Sequence, residues 1–195
     1  MTAVIDYNAG NIRSVLYALD RLGADYMLTA DEAQIKSADK VIFPGVGAAG
    51  SAMAHLRETG LDKIIKELNQ PTLGVCVGMQ LMCAHSEEND TDCLGIFDLN
   101  VKLFQPENGE KVPHMGWNTI QIQEGQNWLS PELDGEYVYY VHSYFVEANK
   151  YSSAQTDYCG PFCAIMQKDN FYAAQFHPEK SAKAGEMMLN DFLKT

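Results

Sequence analysis

The segment Leu73-Gly74-Val75-Cys76-Val77-Gly78-Met79 constrains this chain more than any other. Leu73-Gly74-Val75 reads as a buried strand that runs straight into a helix from Met79. Between them stands the G-x-nucleophile-x-G pattern of a nucleophile elbow, with Cys in place of Ser. Such a turn holds its nucleophile in strained backbone. Side chains two positions to either side would collide with it, and Gly74 and Gly78 remove them. The turn also puts the sulfur at the start of a helix, where free N–H groups and the helix dipole favour thiolate over thiol. The Val77 amide then points to where an oxyanion would develop. A cysteine in an apolar segment ordinarily acts as a small hydrophobe; two glycines at a strand-to-helix junction set this one apart.

The surrounding pattern gives the elbow a sheet to sit on. Ala3 to Tyr7, Tyr26-Met27-Leu28 and Val41-Ile42-Phe43 read as short strands. Asn8-Ala9-Gly10-Asn11 is turn-like, with Asn11 able to cap a helix carrying Ile12, Val15, Leu16, Leu19 and Leu22 on one face. Gly23 stops that helix. Asp62 to Asn69 reads as a helix end. Alternating strands and helices predict an α/β fold with a mostly parallel central sheet flanked by helices. The second half changes character. Val101 to Phe104, Ile120 to Ile122, Tyr137 to His142, Phe162 to Gln167 and Ala173 to Phe176 predict an additional antiparallel strand layer. Ala182 to Leu193 closes as a helix. With 195 residues against roughly 100–200 per domain, and no linker, one domain over 1–195 is expected.

A thiolate nucleophile needs a base, and the base an orienter. His177 stands out among five histidines, in Gln175-Phe176-His177-Pro178-Glu179. In extended backbone, residues two apart face the same way, so Glu179 is expected to hold the His177 imidazole, with Pro178 limiting slack. A second oxyanion element, Pro44-Gly45-Val46-Gly47, follows the strand ending at Phe43. There Gly45, Val46 and Gly47 can turn N–H groups toward a substrate. Of the other cysteines, Cys83 lies in an apolar segment and Cys93 in an acidic loop. Cys159 and Cys163 form a C-x3-C pair without a second pair nearby, a poor zinc signature.

Charge narrows the partners. The 14 Lys+Arg and 26 Asp+Glu leave a net charge of −12. No Lys or Arg occurs between Lys66 and Lys102, or between Lys111 and Lys150. That excludes the basic surface that nucleic acid or an anionic membrane requires. The start, Met1-Thr2-Ala3-Val4-Ile5-Asp6, has no basic region and meets an acid early, so no secretory signal is read there. A cytoplasmic chain with reduced thiols is expected.

Gly74 to Gln80 and Phe176 to Glu179 together resemble the nucleophile and acid–base segments of the class I glutamine amidotransferases. More narrowly, Asp6 to Asn11, Pro44 to Gly47, Pro113-His114-Met115-Gly116-Trp117-Asn118 and Phe176 to Ser181 resemble the branch serving imidazole glycerol phosphate synthesis, in histidine biosynthesis. The resemblance implies that Cys76, His177 and Glu179 form a catalytic triad. It implies that Gly45, Val46, Gly47 and Val77 stabilise the oxyanion, and that Gln80 and the backbone near Ser143 and Tyr144 bind glutamine. Ammonia would pass to a cyclase subunit with a (β/α)8 barrel, contacted near Asn11, Trp117, Tyr139 and Lys180. No cofactor and no metal is implied. Other readings are a different stand-alone class I glutaminase, serving vitamin B6, purine or aminobenzoate synthesis, a cysteine hydrolase acting without a partner, or a flavodoxin-like binding module with a dead site.

Overall fold

The computed structural model describes residues 1–7, 12–45, 47–107 and 109–195. Its first part alternates β1 (Thr2–Ile5), α1 (Ile12–Arg21), β2 (Tyr26–Thr29), α2 (Glu32–Ser37), β3 (Lys40–Phe43), α3 (Ala49–Thr59), α4 (Leu61–Lys66), β4 (Thr72–Val75) and α5 (Val77–Leu81). The four strands pair in parallel in the order β2-β1-β3-β4. β1 and β4 are buried along their whole length, as parallel strands covered on both faces must be. β2 lies at the edge and is the less buried for it.

Ten further strands follow: β5 (His85–Ser86), β6 (Thr91–Asp92), β7 (Asn100–Leu103), β8 (His114–Thr119), β9 (Gln121–Ile122), β10 (Tyr137–His142), β11 (Tyr144–Val146), β12 (Ser152–Asp157), β13 (Pro161–Lys168) and β14 (Phe171–Ala174), then α6 (Ala182–Leu193). β14 joins β4 in parallel, and β13, β12 and β9 continue the same sheet antiparallel. The chain is thus a mixed α/β fold with a mostly parallel central sheet of eight strands. β8 and β10 form a separate antiparallel ribbon, and β11-β7-β5-β6 a small third sheet. Among the described residues, no helix is long and apolar enough to cross a membrane.

Several boundaries differ from those read in the sequence. The strand expected over Ala173 to Phe176 runs Phe171–Ala174, because its parallel partner β4 ends at Val75. The helix expected over Asp62 to Asn69 spans Leu61–Lys66, separated from α3 by Gly60 at φ +77°. The helix expected from Met79 starts at Val77 and is only five residues long. The cap assigned to Asn11 lies outside the described residues.

Candidate active site

The register of β4 and β14 brings the predicted groups together. Ala174 lies opposite Val75, and the Cys76 N–H donates to the Ala174 carbonyl at 2.8 Å. Cys76 therefore leaves the carboxyl end of one strand, and His177 follows three residues beyond its parallel neighbour, the edge where open α/β sheets place their sites. Cys76 has φ +53° and ψ −111°, a conformation that non-glycine residues avoid unless the surroundings enforce it.

The enforcement comes from packed backbone. A Cβ on Gly78 would run into the Phe43 carbonyl at the end of β3, and one on Gly45 into the Val77–Gly78 backbone. A Cβ on Gly74 would stand 2.9 Å from the Gly78 carbonyl. This corrects the expectation that Gly74 and Gly78 make room for the nucleophile itself: they let the elbow fold onto itself and onto β3. It also presses Gly45 against the Val77–Gly78 peptide, so the two candidate oxyanion elements are neighbours. Gly47 has φ +100°; Val46 lies outside the described residues. Gly78→Ala is expected to cost about 1–3 kcal/mol, as overpacked cores do, and to abolish most activity, checked by the denaturation midpoint and a glutaminase assay.

His177 Nδ1 lies 2.8 Å from Glu179 Oε1, with only 3% and 5% of the two side chains exposed. The spacing works differently from the extended-chain expectation. Pro178 opens a 3₁₀ turn, Pro178–Lys180, and the turn brings Glu179 back under the ring; the fixed φ of proline suits that first helical position. The His177 N–H donates to the Tyr139 carbonyl at 3.0 Å. The Ser181 hydroxyl donates to the His177 carbonyl at 2.7 Å and accepts the Tyr139 N–H at 2.9 Å. Glu179 can only accept, so the hydrogen-bond pattern assigns the proton to Nδ1 and turns Nε2 toward Cys76. Burial opposes charge on the ring, but the Cys76 sulfur and the Glu179 carboxylate outweigh it and raise its pKa to about 10.

A cleft of about 380 Å³ opens over these groups, lined by Cys76, His177, Gln80, Glu88, Ser143 and Tyr144 among others. Gln80 is buried and donates from Nε2 to the Tyr144 carbonyl at 2.9 Å and to Gln175 Oε1 at 3.0 Å. Its nitrogen is engaged within the protein, so its oxygen is what it offers a ligand. The Ser143 carbonyl accepts the Phe104 N–H and that of Tyr144 also accepts from His142, so neither is an idle acceptor. Lys180 borders the cleft and holds its ammonium 6.0 Å from the centre of the Tyr139 ring. Trp117, 52% exposed, lies 5.9 Å from the same ring. Three of the four residues assigned to a partner surface thus form one face beside the cleft; the fourth, Asn11, is outside the described residues.

Two residues at the site had no role in the sequence reading, Glu88 in the cleft lining and Gln175 behind it. Glu88 accepts the Ala49 N–H at 2.7 Å, yet in the sequence it is one acid in an acidic run. Gln175 is fully buried, and its Nε2 stands 3.9 Å from the Cys76 sulfur. The other cysteines are held from thiolate: burial pushes Cys83 up, Cys93 to about 11 and Cys163 to about 12. Among the described residues, no His, Cys, Asp and Glu cluster suits a metal ion.

A thiol on a strand-to-helix elbow, an imidazole raised by a buried carboxylate and a Gly-rich turn against the elbow amide make a site suited to acyl transfer through a thioester. The chain belongs to the glutamine amidotransferase class-I family, whose profile matches residues 3–195, and it is a glutamine amidotransferase enzyme. It is 58% identical over 193 residues to the imidazole glycerol phosphate synthase subunit HisH of Bacteroides fragilis, covering 98% of each chain. It is 45% identical over 193 residues to subunit HisH 2 of Legionella pneumophila, covering 99% of this chain and 97% of the relative. A crystallised glutamine amidotransferase shares the fold at TM-score 0.76 and 17% identity, over 98% and 97% of the two chains.

Proposed function

We propose that Cys76 attacks the side-chain amide of glutamine, that His177 protonates the departing ammonia and then activates the water that releases glutamate, and that Glu179 orients and charges His177. The chain is the glutaminase subunit of imidazole glycerol phosphate synthase, in histidine biosynthesis. The observation that carries the residue roles is the buried His177–Glu179 pair beside a strained Cys76. Amides of Val77 and of the Gly45–Gly47 turn stabilise the oxyanion. Gln80 Oε1 and the Ser143–Tyr144 backbone hold the amino-acid end, with Glu88 the carboxylate near enough to face an ammonium. Ammonia passes to a (β/α)8-barrel cyclase subunit seated on the Trp117, Tyr139 and Lys180 face, making a heterodimer. The reading takes residues 1–195 as one cytoplasmic domain without nucleic-acid or membrane ligands. The net charge of −12 fits this division, because zwitterionic glutamine stays here and the phosphorylated substrate stays on the cyclase.

The test is glutamine hydrolysis by the chain alone, with the cyclase, and with the cyclase plus its nucleotide ligand. The expected result is stimulation by the liganded cyclase of roughly 5–150-fold, the span of typical coupling energies. Full activity alone, unchanged by the cyclase, would overturn the assignment.

A further inference from the structure

A row of hydrogen bonds with one permitted direction, buried at its centre between two imidazoles, runs from the inner side of the β8–β10 ribbon to the cleft. The Tyr144 carbonyl can only accept, so its 2.8 Å contact with His142 Nδ1 places a proton on that nitrogen. His142 Nε2 is then an acceptor, and its 3.1 Å contact with His114 Nδ1 places a proton there. His114 Nε2 remains as an acceptor, with Asn118 Nδ2 3.5 Å away. The Asn118 amide cannot be reversed: its Oδ1 accepts the Thr119 N–H at 2.8 Å, and its Nδ2 donates to the Asp157 carbonyl at 3.0 Å. Every member fits only if both imidazoles are neutral, since a second proton on either would set two N–H groups facing each other. Burial supports this, holding His114 down at about 4 and His142 at about 3.

The two ends of the row have different surroundings. His114 is stacked between Tyr158 and Tyr140, at 3.9 and 4.8 Å. Its strand neighbours Met115 and Trp117 point outward, 63% and 52% exposed. At the other end, the Tyr144 carbonyl also takes the Gln80 amide, which bonds Gln175, whose own nitrogen faces the Cys76 sulfur.

We propose that His114 and His142 are positioning residues, an uncharged one-way relay by which a partner seated on the β8–β10 ribbon sets the Tyr144 carbonyl and the Gln80 amide at the glutamine cleft. This rests on the reading of the ribbon's outer face as the cyclase surface. Hydrogen-bond satisfaction sets the direction; the link to the outer face is the strand itself, where buried His114 stands next to exposed Met115, and each bond in the row orients the next.

Imidazole ¹⁵N NMR on the free chain tests the relay without a partner. Both rings should be neutral Nδ1–H tautomers, unchanged across about pH 5.5–8, where an ordinary histidine titrates. An Nε2–H tautomer or an imidazolium on either ring in that span overturns the relay. In the complex, His114→Phe keeps the stacked ring and removes both nitrogens. It should raise the glutamine KM about tenfold, as losing one well-made buried hydrogen bond does, and lose most of the cyclase stimulation. His142→Asn keeps a donor for the Tyr144 carbonyl but loses the acceptor for His114. Its KM should rise and its stimulation fall in the same way, because the row is cut at the same bond, and this variant decides if His114→Phe does not fold. Folded variants with unchanged KM and stimulation overturn the proposal. Trp117→Ala separates the two readings: a complex of unchanged affinity would remove the docking surface while leaving the tautomer result standing.

Discussion

Cys76→Ala is expected to remove glutamine-dependent synthesis by about 10⁵-fold or more, the scale on which nucleophile deletions act, while synthesis from added ammonium by the assembled complex stays within about twofold of the parent. The first half follows from the absence of a substitute. Cys83 and Cys163 are fully buried, burial disfavours their thiolates, and no other described thiol lines the cleft beside His177. The second half follows from geometry. The substitution removes one atom from a residue only 3% exposed, and alanine pays the same backbone strain at φ +53° that cysteine does. The face proposed for the cyclase is then untouched. Paired assays with glutamine and with ammonium, on complexes checked for assembly by gel filtration, decide it. Loss of ammonium-dependent synthesis in an assembled complex would mean the two reactions are not housed in separate sites.

The elbow was legible because its demands are local. A turn this tight needs glycine at two fixed offsets, and strand, turn and helix all lie within seven residues. Even so, sequence misjudged what the glycines avoid, since the Phe43 carbonyl beneath Gly78 arrives from a different strand, 35 residues earlier (78 − 43). The parallel strands were legible because burial on both faces makes them continuous apolar runs. β12 was not: its core side includes Ser153 and Thr156, whose hydroxyls meet Trp128, Tyr140 and the Thr119 carbonyl. Hydrogen bonds there replace the apolar alternation that a sequence reading counts. Glu88 and Gln175 were missed for a related reason. A carboxylate in an acidic run and an amide beside an apolar strand gain meaning only from what the fold brings to them. The His177–Glu179 pair was found by a spacing argument that named the right residues and the wrong backbone, because proline serves a 3₁₀ turn as readily as an extended segment.

Glu179→Gln isolates the charge in that pair. Glutamine keeps an oxygen at the position that accepts the His177 Nδ1 proton, so the 2.8 Å hydrogen bond survives, while the negative charge beneath the ring is lost. The parent carboxylate is buried, with Oε2 lacking a hydrogen-bond partner among the described residues. Its charge favours the imidazolium. Without it, burial is opposed only by the sulfur, and the His177 pKa falls below its value of about 10. The expected loss in glutamine-dependent kcat is about 10²–10⁴-fold, the upper figure matching neutralisation of a triad acid elsewhere. The alkaline limb of the kcat/KM profile should move to lower pH. Stability carries the same signature with a definite sign. A group whose pKa rises on folding stabilises the native state fully below its unfolded value, here the ordinary 6.5, and that contribution disappears as pH climbs through the folded value of about 10. The parent should therefore lose melting temperature progressively from near neutrality toward pH 10, and the variant should complete its loss earlier. Equal alkaline limbs and parallel melting curves for the two proteins would show that the carboxylate only holds the ring in place.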